Sequence, residues 1–140
     1  MSKILVPTDG SDYALRAAQY AAGLCKNNPE MRVTVFHVHN LFPDYVFDTP
    51  LIPSVPVFAD EQAKAIIDRT VAVFREAGVE VETLVGKGDP GREIAKKARE
   101  GRYDQIIMGT RGAGALGGLV FGSVAQKVVQ FAECPVTLVK

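Results

Sequence analysis

Tryptophan is absent, cysteine and histidine occur twice each, and 16 basic residues are balanced by 16 acidic ones. Each shortage excludes something. Cys25 and Cys134 lie far apart, so neither a disulfide framework nor a zinc spacing can be built from them. They read as small buried hydrophobes in a reducing compartment. His37 and His39 sit on one strand-like run with no third ligand apparent, and read as satisfied or interface histidines instead of a metal pair. Zero net charge leaves no global basic field to recruit nucleic acid or an anionic membrane. No apolar run approaches the roughly 20 residues of a membrane span. Met1-Ser2-Lys3 leads straight into an apolar run too short for a signal segment. The expectation is a cytoplasmic chain with no nucleic-acid partner and no membrane span. No Ser-His-Asp or Cys-His arrangement stands out, and no acidic pair comes with a reason to be catalytic.

What is present is regular alternation. A chain of 140 residues with 47% hydrophobic content fits one domain, residues 1–140. Ile4-Leu5-Val6 is a buried-strand signal, and Ser11 is a good N-cap for a helix carrying Ala14, Ala18, Ala21 and Cys25 on one face, with Leu15 and Ala22 beside them. Val33 to Val38 is β-branched and strand-like. Ala63, Ile66, Ile67, Thr70, Val71 and Phe74 give helical periodicity over about residues 59–77, closed by Gly78. Val79 to Val85 alternates and predicts an edge strand with one face near solvent. Pro90 opens a helix through Ile94, Ala95 and Ala98 that Gly101 stops. Gln105 to Met108, residues 123–132 and Val136 to Val139 complete the series. This order predicts an α/β fold: a single-domain, open, parallel five-stranded sheet with helices on both faces. Ligands of such sheets bind beyond the carboxyl ends of the strands, where strand order reverses. Pro7-Thr8-Asp9, the end of the second strand at Val38 and the loop after Met108 converge there. Residues 40–58, with four prolines and Phe42, Tyr45, Phe47 and Phe58, form an unusually long connection, read either as a docking loop or as an ordered surface loop.

The most informative stretch follows Ile106-Ile107-Met108. Gly109-Thr110-Arg111-Gly112, then nine residues, then Gly122-Ser123, leads into the helical run Val124 to Val129. Glycines after a strand let backbone N–H groups approach a ligand, and a helix start with a hydroxyl attracts anions. The stretch reads as a phosphate cradle, and Arg111 inside it is within reach of a phosphate or simply solvent-facing. Gly112-Ala113-Gly114-Ala115-Leu116-Gly117 also matches G-x-G-x-x-G, with Glu133 downstream. Its context is wrong: Gly117-Gly118 sits where a helix should form, and Glu133 precedes a strand. Gly86-Lys87-Gly88 lacks the other residues of a P-loop. The turn Thr8-Asp9-Gly10-Ser11-Asp12 lacks the Ser-Gly-Gly start seen in ATP pyrophosphatases of related architecture. Arg92, Lys96, Lys97, Arg99 and Arg102 read as a solvated basic face.

The spacing G-x2-G-x9-G-[ST] resembles the ATP-binding signature of the universal stress protein family. Lys3 to Ser11 looks like that family's first strand and turn, Gly88-Asp89-Pro90 like its loop before the third helix, and Cys134 to Val139 like its closing strand. The resemblance implies strand order 3-2-1-4-5, an adenine nucleotide alpha hydrolase-like fold. It also implies ATP as ligand, with Mg2+ held mainly by the phosphates. It assigns Asp9 and Val38 to the adenine, Val38 through its backbone. Pro7, Thr8, Met108 and Gly109 fall to the adenine and ribose, and Gly112, Gly122, Ser123 and Val124 to the phosphates. Asp9 also reads as a plain Asp-Gly turn residue, and Val38 as the last core residue of its strand. The expected function is a nucleotide-dependent stress regulator or sensor with an unidentified protein partner, forming a homodimer through Val136 to Val139. Two other readings remain open: a slow ATPase or other nucleotide-processing enzyme, and a dimeric interaction module that binds no nucleotide. Near the motif, Gln126 is the nearest polar candidate to orient a water, and it lies a turn into its helix.

Overall fold

Strand order follows from which segments can be buried on both sides. The computed structural model describes residues 2–40, 55–111 and 121–140. In chain order these form β1 (Lys3–Pro7), α1 (Asp12–Asn27), β2 (Arg32–His39), α2 (Val55–Glu76) and β3 (Val81–Lys87). There follow α3 (Pro90–Glu100), β4 (Gln105–Gly109), α4 (Ser123–Phe131) and β5 (Val136–Val139). The sheet is parallel in the order β3-β2-β1-β4-β5, as the sequence implied. In the central strand Ile4, Leu5 and Val6 are wholly buried. Each such side chain stabilises the fold by about 1.5–3 kcal/mol.

Alternation along the strands divides the core. Ile4, Val6, Val33, Val35 and Ile107 pack with α1 and α2 on one face. Leu5, Phe36, Val38, Ile106 and Met108 pack with α3 and α4 on the other. The α1 stripe is Ala14, Ala17, Ala18, Ala21, Ala22 and Cys25, small enough to seat a helix close to the sheet. Leu15, placed beside that stripe by periodicity, is only half-buried. Ser11 caps α1, its Oγ accepting from Ala14 N at 3.3 Å. Buried polar groups are paired: Tyr103 donates to Thr34 Oγ1 at 2.8 Å, and Thr70 donates to the Ile66 carbonyl at 3.0 Å.

Several element bounds differ from the sequence reading, most at the starts of α2 and β3. Helix α2 begins at Val55, not near residue 59, with Pro56 in its first turn, where no N–H is required. Strand β3 is the edge strand expected, but it starts at Val81. Val79 closes α2 instead: its N–H donates to the Phe74 carbonyl at 2.9 Å around Gly78, whose φ is +73°. Helix α3 stops at Gly101 as expected and closes on the same pattern as α2. Gly101 keeps a helical φ of −83°, and Arg102 takes the left-handed turn at φ 55°. Gly101 serves a different need, since a Cβ there would lie 2.4 Å from the buried Tyr103 ring. Gly23, exposed in α1, has nothing within 4 Å of its missing Cβ. The two glycines should therefore respond oppositely to alanine in urea unfolding. Gly101→Ala is expected to destabilise by about 1–3 kcal/mol through overpacking. Gly23→Ala is expected to stabilise by about 0.5–1 kcal/mol, and a shift of the same sign in both would contradict this account of the α3 terminus.

Candidate functional site

The strand ends of β2, β1 and β4 lie side by side and carry Val38, Pro7, Met108 and Gly109. The chain leaves β1 through a turn braced from both sides. Thr8 N donates to the Phe36 carbonyl at 2.9 Å, and Thr8 Oγ1 pairs with Thr70 Oγ1 of α2 at 2.8 Å. His37 Nδ1 lies 2.8 Å from the Thr8 carbonyl, so this histidine is a satisfied core residue that holds the turn. Asp9 is exposed, and its Oδ1 accepts from Ser11 N at 2.9 Å. Gly10 takes φ +78°, and its carbonyl accepts from Arg69 at 3.0 Å. Thr8 thus spends its side chain, its N–H and its carbonyl on the scaffold. Val38 is buried on the α3–α4 face, its side chain in the core as the plain reading had it.

Gly109 has a structural duty beyond ligand approach. A Cβ there would lie 2.9 Å from the carbonyl carbon, oxygen and Cβ of Tyr13, so the missing side chain lets α1 sit on the end of β4. Beyond it, buried Thr110 donates to the Val139 carbonyl at 3.0 Å and accepts from Gly122 N at 2.7 Å. That second bond joins the two ends of the glycine-rich loop. Arg111 is half-buried, with its guanidinium 6.0 Å from the Tyr13 ring centre. Gly112, the rival fingerprint at 112–117 and most of the long connection lie outside the described residues.

Helix α4 starts at Ser123, as the sequence reading had it. Gly122 is the N-cap, and among the described residues no side chain is seen to bond to the first-turn amides. Ser123 is the first helical residue and is exposed. An α-helix begins with backbone N–H groups that lack intrahelical acceptors and with a positive partial charge. Here that end opens on a cleft of about 370 Å3 lined by Asn40, Asp89, Pro90, Gly91, Ser123, Val124 and Lys127. Gln126 reaches back to the Phe121 carbonyl at 3.2 Å, which engages its amide.

One pair in this cleft escaped the sequence reading. Asp89 caps α3, accepting from Arg92 N at 3.2 Å, and its other oxygen accepts from Lys127 Nζ at 2.9 Å. The hydrogen bond from Lys127 holds its carboxyl below the usual range, with the Arg92 amide adding to the effect. Asp followed by Pro at the first helical position announces the cap from sequence. Nothing local announces Lys127. Among the described residues no group of three or more His, Cys, Asp or Glu side chains is placed to hold a metal ion.

The universal stress protein family model matches residues 1–140. The chain belongs to that family. A universal stress protein of Thermus aquaticus is 39% identical over 142 residues, covering 98% of this chain and 97% of that one. The structure of the Archaeoglobus fulgidus universal stress protein aligns with a TM-score of 0.76 at 29% identity, over 100% of this chain and 99% of that one. A universal stress protein of the same organism in complex with dAMP aligns with a TM-score of 0.67 at 26% identity, over 100% and 98%. This universal stress protein therefore shares its fold with a relative solved in complex with dAMP.

Proposed function

We propose that this universal stress protein binds ATP across the strand-end crevice and acts as a regulator whose nucleotide occupancy biases its contacts with a protein partner. The observation that carries the reading is the amino end of α4, capped by Gly122 and facing a cleft lined by Ser123, Val124 and Lys127. Backbone N–H groups at a helix start are a ready anion site, and phosphate is the anion that the preceding glycine spacing suits. A cleft of about 370 Å3 lies within the range of small-ligand pockets. The relative solved with dAMP supports adenine as the base. In this reading Asp9 and the Val38 backbone hold the adenine. Pro7, Thr8, Met108 and Gly109 line the adenine and ribose, while Gly112, Gly122, Ser123, Val124 and Arg111 meet the phosphates. Any Mg2+ rides mainly on the phosphates. A ligand held by backbone amides, without an evident group to orient a water, suits a signal that persists long enough to be read by a partner.

We further propose that the partner contacts include a second copy of the chain, paired through β5. Val136–Val139 is the edge strand beside β4, and all four of its residues are only half-buried. An apolar edge exposes unpaired backbone groups, and antiparallel pairing with a symmetry mate satisfies them. Sedimentation at micromolar concentration should give a dimer, shifted toward monomer by Leu138→Lys; a monomeric wild type would refute the pairing. For the nucleotide, calorimetry is expected to give ATP dissociation constants of about 1–100 μM, roughly −8.2 to −5.5 kcal/mol. Gly122→Val, which puts a branched side chain at the phosphate approach, is expected to abolish binding while leaving the unfolding midpoint near wild type. Unchanged affinity in that variant would misplace the cradle.

A further inference from the structure

The pair of charges between the amino ends of α3 and α4 is left unused by a reading in which the first-turn amides of α4 hold phosphate. Lys127 lies one helical turn past Ser123, so both side chains rise from the same face of α4 and line the same cleft. Asp89 closes that cleft from α3 and is its lining carboxylate. The contact between the two helices is tight. A Cβ on Gly91 would lie 2.4 Å from Lys127 Cβ and 3.0 Å from its Cδ. The α3 backbone therefore lies directly on the aliphatic stem of Lys127 and fixes where its ammonium emerges.

We propose that Lys127, presented by Asp89, measures phosphate chain length: a nucleotide whose chain extends past its first phosphate takes the ammonium from Asp89, so the site prefers triphosphates to monophosphates. The position of the first phosphate rests on the nucleotide reading above. The exchange is cheap, because the two side chains are 44% and 39% exposed, and a pair so exposed contributes little in water. A phosphate offers more negative charge and more acceptor oxygens than the carboxylate that it replaces. Asp89 cannot follow the ammonium, since its other oxygen caps α3 through Arg92 N. It stays bonded to the Arg92 amide beside the displaced contact, and the cleft keeps a fixed carboxylate that opposes surplus phosphate. Lys127 thus adds attraction for the outer phosphates, and Asp89 limits it.

Calorimetry with ATP, AMP and inorganic tripolyphosphate on the wild type, Lys127→Met and Asp89→Asn tests the gauge. Methionine keeps most of the stem that packs on Gly91, and asparagine keeps a helix cap. Lys127→Met is expected to weaken ATP and tripolyphosphate about tenfold or more while AMP stays within about twofold. Asp89→Asn is expected to tighten ATP by about threefold or more, again with little change for AMP. Equal losses for ATP and AMP, or no change for either, would overturn the gauge while leaving nucleotide binding intact. If the wild type binds tripolyphosphate through Lys127 but neither nucleotide, the adenine reading falls and the gauge stands. If the wild type binds none of the three, both fall.

Discussion

The seating of α1 on Gly109 is the contact on which the crevice depends. A side chain at residue 109 would collide with the Tyr13 backbone at 2.9 Å, so only glycine lets the first turn of α1 rest on the end of β4. That contact sets the start of α1 against the end of β4, with the Arg111 guanidinium 6.0 Å from the Tyr13 ring centre, where sheet order reverses. The remaining braces act in the same place. Thr8 is tied to β2 by Phe36 and His37, and to α2 by Thr70. Thr110 is tied to β5 by Val139 and to the start of α4 by Gly122. The threonine and histidine residues of these braces are buried, and their bonds fix backbone positions at the rim.

The two helices of the α3–α4 face then supply the electrostatics. Both begin at the same cleft, but their caps differ in kind. Asp89 satisfies α3 with a carboxylate, whereas Gly122 gives α4 no side chain. One amino end is thereby neutralised by the protein and the other is left for an anion from outside. The asymmetry fixes where negative charge is welcome, and Lys127 extends that region by one turn along α4.

Much of this was legible in the residues. The alternation of apolar runs with helical stripes carried the fold, because parallel strands buried on both faces read as continuous hydrophobic segments, as Ile4-Leu5-Val6 does. What was missed has local reasons. Pro56 reads as a helix breaker, yet it sits in the one turn where proline costs nothing. Val79 belongs to an alternating run, but the closing bond to Phe74 claims it first. Gly101 looks like the stop of α3, while the left-handed turn is made by Arg102 and the glycine makes room for Tyr103. At the site, the glycine spacing pointed to the amino end of α4, where Gly122 is the cap and Ser123 the first helical residue. The role of Gly109 against Tyr13 and the Asp89–Lys127 pair were invisible, since each joins residues far apart in the chain that only the helix packing brings together.

The central claim is that an adenine nucleotide lies across the strand ends with its phosphates at the amino end of α4. Amide chemical shifts of the nitrogen-15-labelled protein, followed during titration with ATP, test it most directly. The account requires the largest movements at Gly122, Ser123, Val124 and Ala125, together with Asp9 and Val38, saturating on one binding curve. Movements confined to the basic face of α3, around Arg92, Lys96 and Arg99, with the α4 amides unmoved, would mean that the anion is held by surface charge alone and would contradict it.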